Sequence, residues 1–158
     1  MRAAAAAAAV LLTIAAPAQA AFNPVEFFRG RTHGDGMLKI IFQSAKKMSV
    51  DSEGVTEKDG SLVLKQVIHE PGKLPRTRFW RMRQTAPDRF EGTLTDAASP
   101  VRVDVGKNSI RIRYTAKDHL NFDQTLTPVS AKEVHNQMKV KRFGITVASY
   151  DETIRKLD

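Results

Sequence analysis

The sequence predicts an all-β protein, an antiparallel up-and-down β-barrel preceded by a short N-terminal helical turn. Three observations predict it. Apolar and polar residues alternate in run after run, the pattern of strands with one buried face. Turn chemistry separates those runs roughly every 8–12 residues, the spacing of a sandwich or barrel. No long stretch has a 3.6-residue apolar period except "SYDETIRKL" (149–157), which reads equally well as a terminal strand. About nine or ten such strands in the chain favour closure, which removes exposed edges and can enclose one small ligand. A sandwich is the alternative, because alternation does not show whether a sheet closes.

The elements follow in order. Arg2, the apolar run Ala3 to Ala16 and the small-x-small ending Pro17-Ala18-Gln19-Ala20 have the order of regions of an export signal. The run is shorter than the ~20 residues that a membrane span needs. Residues 1–20 are therefore expected to be removed, leaving one domain, 21–158, exported to the periplasm in soluble form. Asn23 can cap a helix and Pro24 suits its first position, so Val25 to Arg29 should make a turn or two, ended by Gly30. In "FFRGRTHGDG" (27–36), Phe27 and Phe28 are placed as a plug for one barrel end, with Gly34 and Gly36 bending the chain into a first strand near Met37.

From there the chain alternates. Leu38, Ile40 and Phe42 share a face, as do Leu62, Leu64 and Ile68. In "RTRFWRM", Arg76, Arg78, Trp80 and Met82 point one way, with Phe79, Arg81 and Arg83 opposed. Phe90, Gly92 and Leu94 continue the pattern, then Val101, Val103 and Val105, then Ile110, Ile112 and Tyr114. Phe122, Gln124 and Leu126 follow, and Val134, Met138 and Val140 come last. "EKDG", "EPGKLP", "APDR" and "GKN" supply the turns. Asp51, Glu53, Glu57 and Asp59 are read as solvated carboxylates in a turn.

Composition narrows the chemistry. The chain has no cysteine, which excludes disulfides, thiolate catalysis, Cys-based metal sites and a lipid-modified cysteine. Its formal net charge is +8, a balance that favours anionic surfaces. Export removes nucleic acid from that group. A phosphate loop needs a strand before its glycines and a helix after them, the reverse of the order around Gly30, Gly34 and Gly36. His33-x-Asp35 offers two metal ligands where zinc wants three or four, and His69, His119 and His135 sit in separate segments. There is no Gly-x-Ser-x-Gly. No catalytic, metal or cofactor site is predicted, and the protein is read as a non-enzyme.

"FNPVEFFRGRTHGDG" followed by a strand resembles the start of a bacterial exported lipocalin-like family filed as a domain of unknown function. The resemblance continues through Arg78-Phe79-Trp80-Arg81-Met82, Phe90-Glu91-Gly92, Asn136 and Lys141-Arg142-Phe143-Gly144, in order over nearly all of the expected mature chain. The chain departs from it in lacking a lipoprotein cysteine, in Asp35 where a Trp is frequent, and in "LNFDQTLTPV" where an acidic Asp-Asp-Trp segment is frequent. The resemblance implies a calycin-type barrel, with a link to modified fatty acids. Phe27, Phe28, Gly30, Gly34, Gly36, Asn136, Phe143 and Gly144 take structural roles in this reading.

The functional question then moves to the barrel interior. Arg78, two residues from Trp80, can stack on its indole. It serves either as a latch closing one barrel end or as a contact for a ligand carboxylate or phosphate. The ligand-binding set is Arg78, Trp80, Met82, Phe42, Tyr114 and Ile112, for a small apolar or amphiphilic anion such as a fatty acid or lipid. The alternative is a filled barrel whose basic strand faces, Arg102, Arg111, Arg113, Lys139 and Lys141, touch anionic membrane or a partner protein.

Overall fold

The computed structural model describes residues 22–158, so the signal read at residues 1–20 lies outside the described residues. Helix α1 (Pro24–Phe28) leads into ten strands, β1 (Gly30–Ile40), β2 (Lys46–Thr56), β3 (Leu62–His69), β4 (Arg76–Ala86) and β5 (Arg89–Leu94), then β6 (Val101–Val105), β7 (Ile110–Thr115), β8 (Asn121–Ser130), β9 (Glu133–Arg142) and β10 (Ile145–Lys156). Each strand pairs antiparallel with its sequence neighbours, and β1 also pairs with β10, closing the barrel. The ambiguous last segment is a strand. Tyr150, Glu152 and Ile154 are its buried face.

The α1 end is sealed by side chains. Asn23 Oδ1 accepts the Val25 N–H at 2.9 Å, and Pro24 opens the helix. Phe27 is buried in the core cluster, and Phe22, Val25 and Phe28 pack against it. Lys156, near the end of β10, donates from Nζ to the carbonyls of Phe27 and Arg29. A cation there satisfies the carbonyls that a helix end leaves free. Gly54 has no side chain because the Phe28 carbonyl occupies that space.

Two strands differ from the sequence reading. β1 begins at Gly30, seven residues before the expected Met37, and Gly34 and Gly36 lie inside it rather than in a bend. β2 contains Asp51 and Glu53, which are on a strand and not in a turn. Both strands escaped detection for one reason. Their inward positions include Thr32, Gly34, Gly36, Ser52 and Gly54, which carry no hydrophobic signal.

Ion pairs cover the outer wall. Arg111 grips Asp123 through two bonds of 2.9 and 2.7 Å, Arg113 reaches Asp104 at 2.7 Å, and Arg155 reaches Glu133 at 3.0 Å. The expected positive stripe is therefore partly neutralised, because Arg111 and Arg113 each face a cross-strand carboxylate. A charged exterior around an apolar interior is the reverse of a membrane-spanning barrel.

Candidate functional site

The barrel is hollow. A cavity of about 620 Å³ runs from α1 toward the loops at the other end, a volume suited to a small molecule. Apolar side chains such as Leu38, Leu64, Phe90 and Ile112 form most of its wall. Glu70, Arg76, Asp96, Lys117 and Asp118 line it at the end opposite α1, where it opens. Two polar groups lie deeper.

The first is built on β4 and its neighbours. Period-two alternation points Arg78 and Trp80 inward, and the register sets Gln66 on β3 opposite Arg78. Gln66 Oε1 accepts from Arg78 Nε at 2.8 Å and from Trp80 Nε1 at 2.6 Å, while its Nε2 donates to Ser52 Oγ at 3.2 Å. The guanidinium carbon lies 5.3 Å from the Trp80 ring centroid, within cation–π range. Tyr114 meets the Trp80 ring edge-on at 5.8 Å and stacks on Phe122 at 4.7 Å. Burial pushes the Tyr114 phenol up, so it stays a neutral donor beside the guanidinium.

Arg78 is the electrostatic anomaly. A guanidinium has five N–H donors and stays charged in proteins. Burial lowers its pKa, and the charges of Asp96 and Glu152 act on it only from a distance. Among the described residues no carboxylate comes within 4.0 Å of it. Asp96 is instead held by Arg76 at 2.6 Å. An enclosed cation without a counter-ion is costly. Arg78 is only partly exposed and lines the cavity.

The second polar group joins β9, β10 and β1. Glu152, 5% exposed, accepts from Asn136 Nδ2 at 2.9 Å. Burial pushes its carboxyl up from the usual range. The Tyr150 hydroxyl donates to the Met48 carbonyl at 3.1 Å. Asn136 Oδ1 is buried with no partner, and Asn136 and Glu152 both line the cavity. The inward positions 34 and 36 on β1 are glycines because a Cβ at 34 would overlap the Glu152 carboxylate, and one at 36 would come 2.6 Å from the Tyr150 ring.

Of the residues expected to contact ligand, Arg78, Trp80, Met82, Tyr114 and Ile112 line the cavity. Phe42 does not. β1 ends at Ile40, and Phe42 sits on the following turn with φ 61° and 98% exposure. Phe27 belongs to the core cluster at the α1 end, and Phe28 packs against it. Gly30, at φ 86°, opens β1 just after the helix, and Gly144, at φ 79°, completes the last hairpin turn. Phe143, given a structural role above, is 89% exposed on that turn and packs into no core.

Gln66, Tyr150 and Glu152 were missed. Their signal was polar residues at inward positions of alternating runs, Gln66 between Leu64 and Ile68, and Glu152 between Tyr150 and Ile154. The histidine-carboxylate groups lie on the outer wall. His33 Nδ1 and His69 Nε2 contact Asp51 at 2.6 and 3.0 Å, and the carboxylate raises the His33 pKa. Among the described residues no group of three or more His, Asp or Glu has the geometry to hold a metal ion.

A family model described as "Protein of unknown function (DUF3833)" matches residues 3–156. No curated protein matches the sequence. Among solved structures, an S-type phycobiliprotein lyase from Guillardia theta is similar in fold, with TM-score 0.65 at 5% identity over 85% of this chain and 91% of that one. A protein of unknown function from the DUF3598 family of Nostoc punctiforme gives TM-score 0.65 at 11% identity, over 87% of this chain and 50% of that one. At these identities the likeness is one of fold, a lipocalin/calycin-like closed barrel with a short N-terminal helix. No catalytic family is matched.

Proposed function

Because the chain belongs to the DUF3833 family, proteins of unknown function, its role has to be read from its cavity, and we propose that the barrel is a receptacle for one small amphiphilic anion. The head group, a carboxylate or phosphate, pairs with Arg78 and accepts from Tyr114, and the apolar tail lies along Leu38, Leu64, Phe90 and Ile112. One observation carries the reading: Arg78 is enclosed, lacks a carboxylate partner and borders a largely apolar cavity. An anion supplies the missing counter-charge, and a guanidinium recognises planar oxyanions through paired bonds.

The Gln66 contacts hold Arg78 Nε and the indole in place. They leave the terminal guanidinium nitrogens to reach a ligand. In this reading Arg78 is the ligand contact, held in place through its Nε. The filled-barrel alternative has less support, given a cavity of about 620 Å³. We further propose that the protein works outside the cytoplasm as a non-enzymatic binding protein, its leader removed.

The test is to purify the exported chain from its native envelope, extract it and identify bound lipid by mass spectrometry, then titrate the stripped protein with fatty acids and lysophospholipids. Trp80 is the single tryptophan, so its emission reports cavity occupancy directly. A stoichiometric amphiphilic anion supports the reading. Failure of every acidic amphiphile to shift Trp80 emission overturns it.

A further inference from the structure

Three neighbouring hairpins at the open end of the barrel place bulky apolar side chains in water. Phe42 and Ile41 sit between β1 and β2 at 98% and 46% exposure, Leu74 between β3 and β4 at 92%, Phe143 between β9 and β10 at 89%, and Ile145 at the start of β10 at 65%. In the barrel order β9, β10, β1, β2, β3 and β4 are consecutive, so these tips form one continuous sector of the rim. The opposite end exposes Val55, Val129 and Leu157, none of them aromatic.

The two phenylalanines are in backbone positions that disfavour them. Phe42 has φ 61° in a turn closed by the Gln43 N–H to the Ile40 carbonyl, and Phe143 has φ 49° directly before Gly144 at φ 79°. Such positions belong to Gly, Asn or Asp, and a bulky residue there is strained. Neither ring gains core burial in return. A benefit outside the folded chain is the economical explanation for two such residues on one rim.

The charge of the same sector identifies the partner. Residues 39–47, 70–76 and 139–147 together hold eight Lys or Arg and one acid, Glu70. Lys47, Lys141 and Arg142 have no ion-pair partner within 4.0 Å among the described residues, and Arg142 lies over the Phe143 ring at 5.6 Å. At the α1 end the turns "TEKDGS" and "SAKE" carry both signs. Aromatic tips backed by unpaired cations match an anionic bilayer, where rings sit at headgroup depth and nearby cations are drawn to the negative surface.

We infer that the hairpins carrying Phe42, Leu74 and Phe143 dock this end of the barrel on an anionic phospholipid surface, with the cavity mouth turned toward the membrane. Glu70, Arg76 and Lys117 at the mouth belong to the same end. An amphiphile could then pass from bilayer to barrel with little of its tail in water. The surface shares Lys139 and Lys141 with the strand faces considered from sequence but leaves out Arg111 and Arg113, which are paired.

Flotation with phosphatidylcholine vesicles, with and without an equal part of phosphatidylglycerol, tests this. The wild-type chain lacking residues 1–20 should bind the anionic vesicles at least about tenfold more tightly, with salt weakening the binding. The triple variant Phe42→Gly, Leu74→Ser, Phe143→Asn should lose at least about tenfold. Glycine and asparagine suit the positive φ, so the variant should melt no lower than wild type, and its cavity titration in vesicle-free buffer should be unchanged. No wild-type binding to anionic vesicles overturns the inference, as does unchanged binding by the variant. So does self-association through the tips without vesicle binding. The cavity titration stands or falls separately.

Discussion

Glu152 occupies the space that a side chain at Gly34 would need: a Cβ built at residue 34 overlaps the Glu152 carboxylate. The two residues lie on adjacent strands, with Gly34 opposite Ile154 and Gly36 opposite Glu152. The glycines of β1 are thus the room in which a buried polar group sits. Their role follows from β10, more than a hundred residues away.

Gly34→Ala should therefore destabilise the barrel by about 1–3 kcal/mol, the usual cost of overpacking. Denaturant unfolding would measure it. In a Glu152→Ala background the same substitution should cost much less, because its obstacle has gone. Equal costs in the two backgrounds would mean that the glycine serves some other purpose.

Glu152 also sets a pH dependence. Burial holds its carboxyl above the ordinary range, so the folded chain binds a proton more readily than the unfolded one. Stability contributed by this group is fully present below the unfolded pKa and falls as pH rises toward the folded pKa, by at most about 1.4 kcal/mol per pH unit. Above the folded pKa it changes no further. Glu152→Gln removes the titration and can still accept from Asn136. Its melting temperature relative to wild type should rise as pH is raised through and above the ordinary carboxylate range. A constant difference over that range would show that Glu152 ionises normally.

Gln66 is the hinge of the first polar group. Gln66→Leu strands Arg78 Nε and the Trp80 indole N–H in the cavity wall, at a cost of roughly 1–3 kcal/mol, and should shift Trp80 emission. Gln66→Glu should keep both contacts and give Arg78 an internal counter-ion. It should fold at least as well as wild type yet bind acidic amphiphiles at least about tenfold more weakly. Unaltered binding by Gln66→Glu would mean that Arg78 is not the ligand's partner.

The fold was legible wherever the inward residues were apolar. From Leu62 to Val140 the alternation marked each strand, and Trp80 and Tyr114 fell on the inward face for that reason alone. β1 and β2 were obscured because small and polar residues fill their inward positions, an adaptation to Glu152 and Tyr150 that is visible only once β10 lies beside β1. Phe42 shows the opposite failure. It continued the apolar alternation past the end of its strand, because period two cannot tell a wall from an exposed turn.

Arg78 was legible as an inward cation, but its missing counter-ion was not, since that depends on Asp96 being taken by Arg76 and on Glu152 standing apart. The outer histidines needed the folded register too. Asp51 gathers His33 and His69 from strands on either side of its own.

The most direct test of the account is isothermal titration of the lipid-stripped chain with a long-chain fatty acid and with its methyl ester, on wild type and Arg78→Met. A charge-assisted bond to Arg78 predicts tight wild-type binding of the acid, with the ester weaker by at least about tenfold. It also predicts that acid and ester bind alike in Arg78→Met, whose fold stays intact. Equal affinity of wild type for acid and ester, or an acid preference that survives in Arg78→Met, would contradict it.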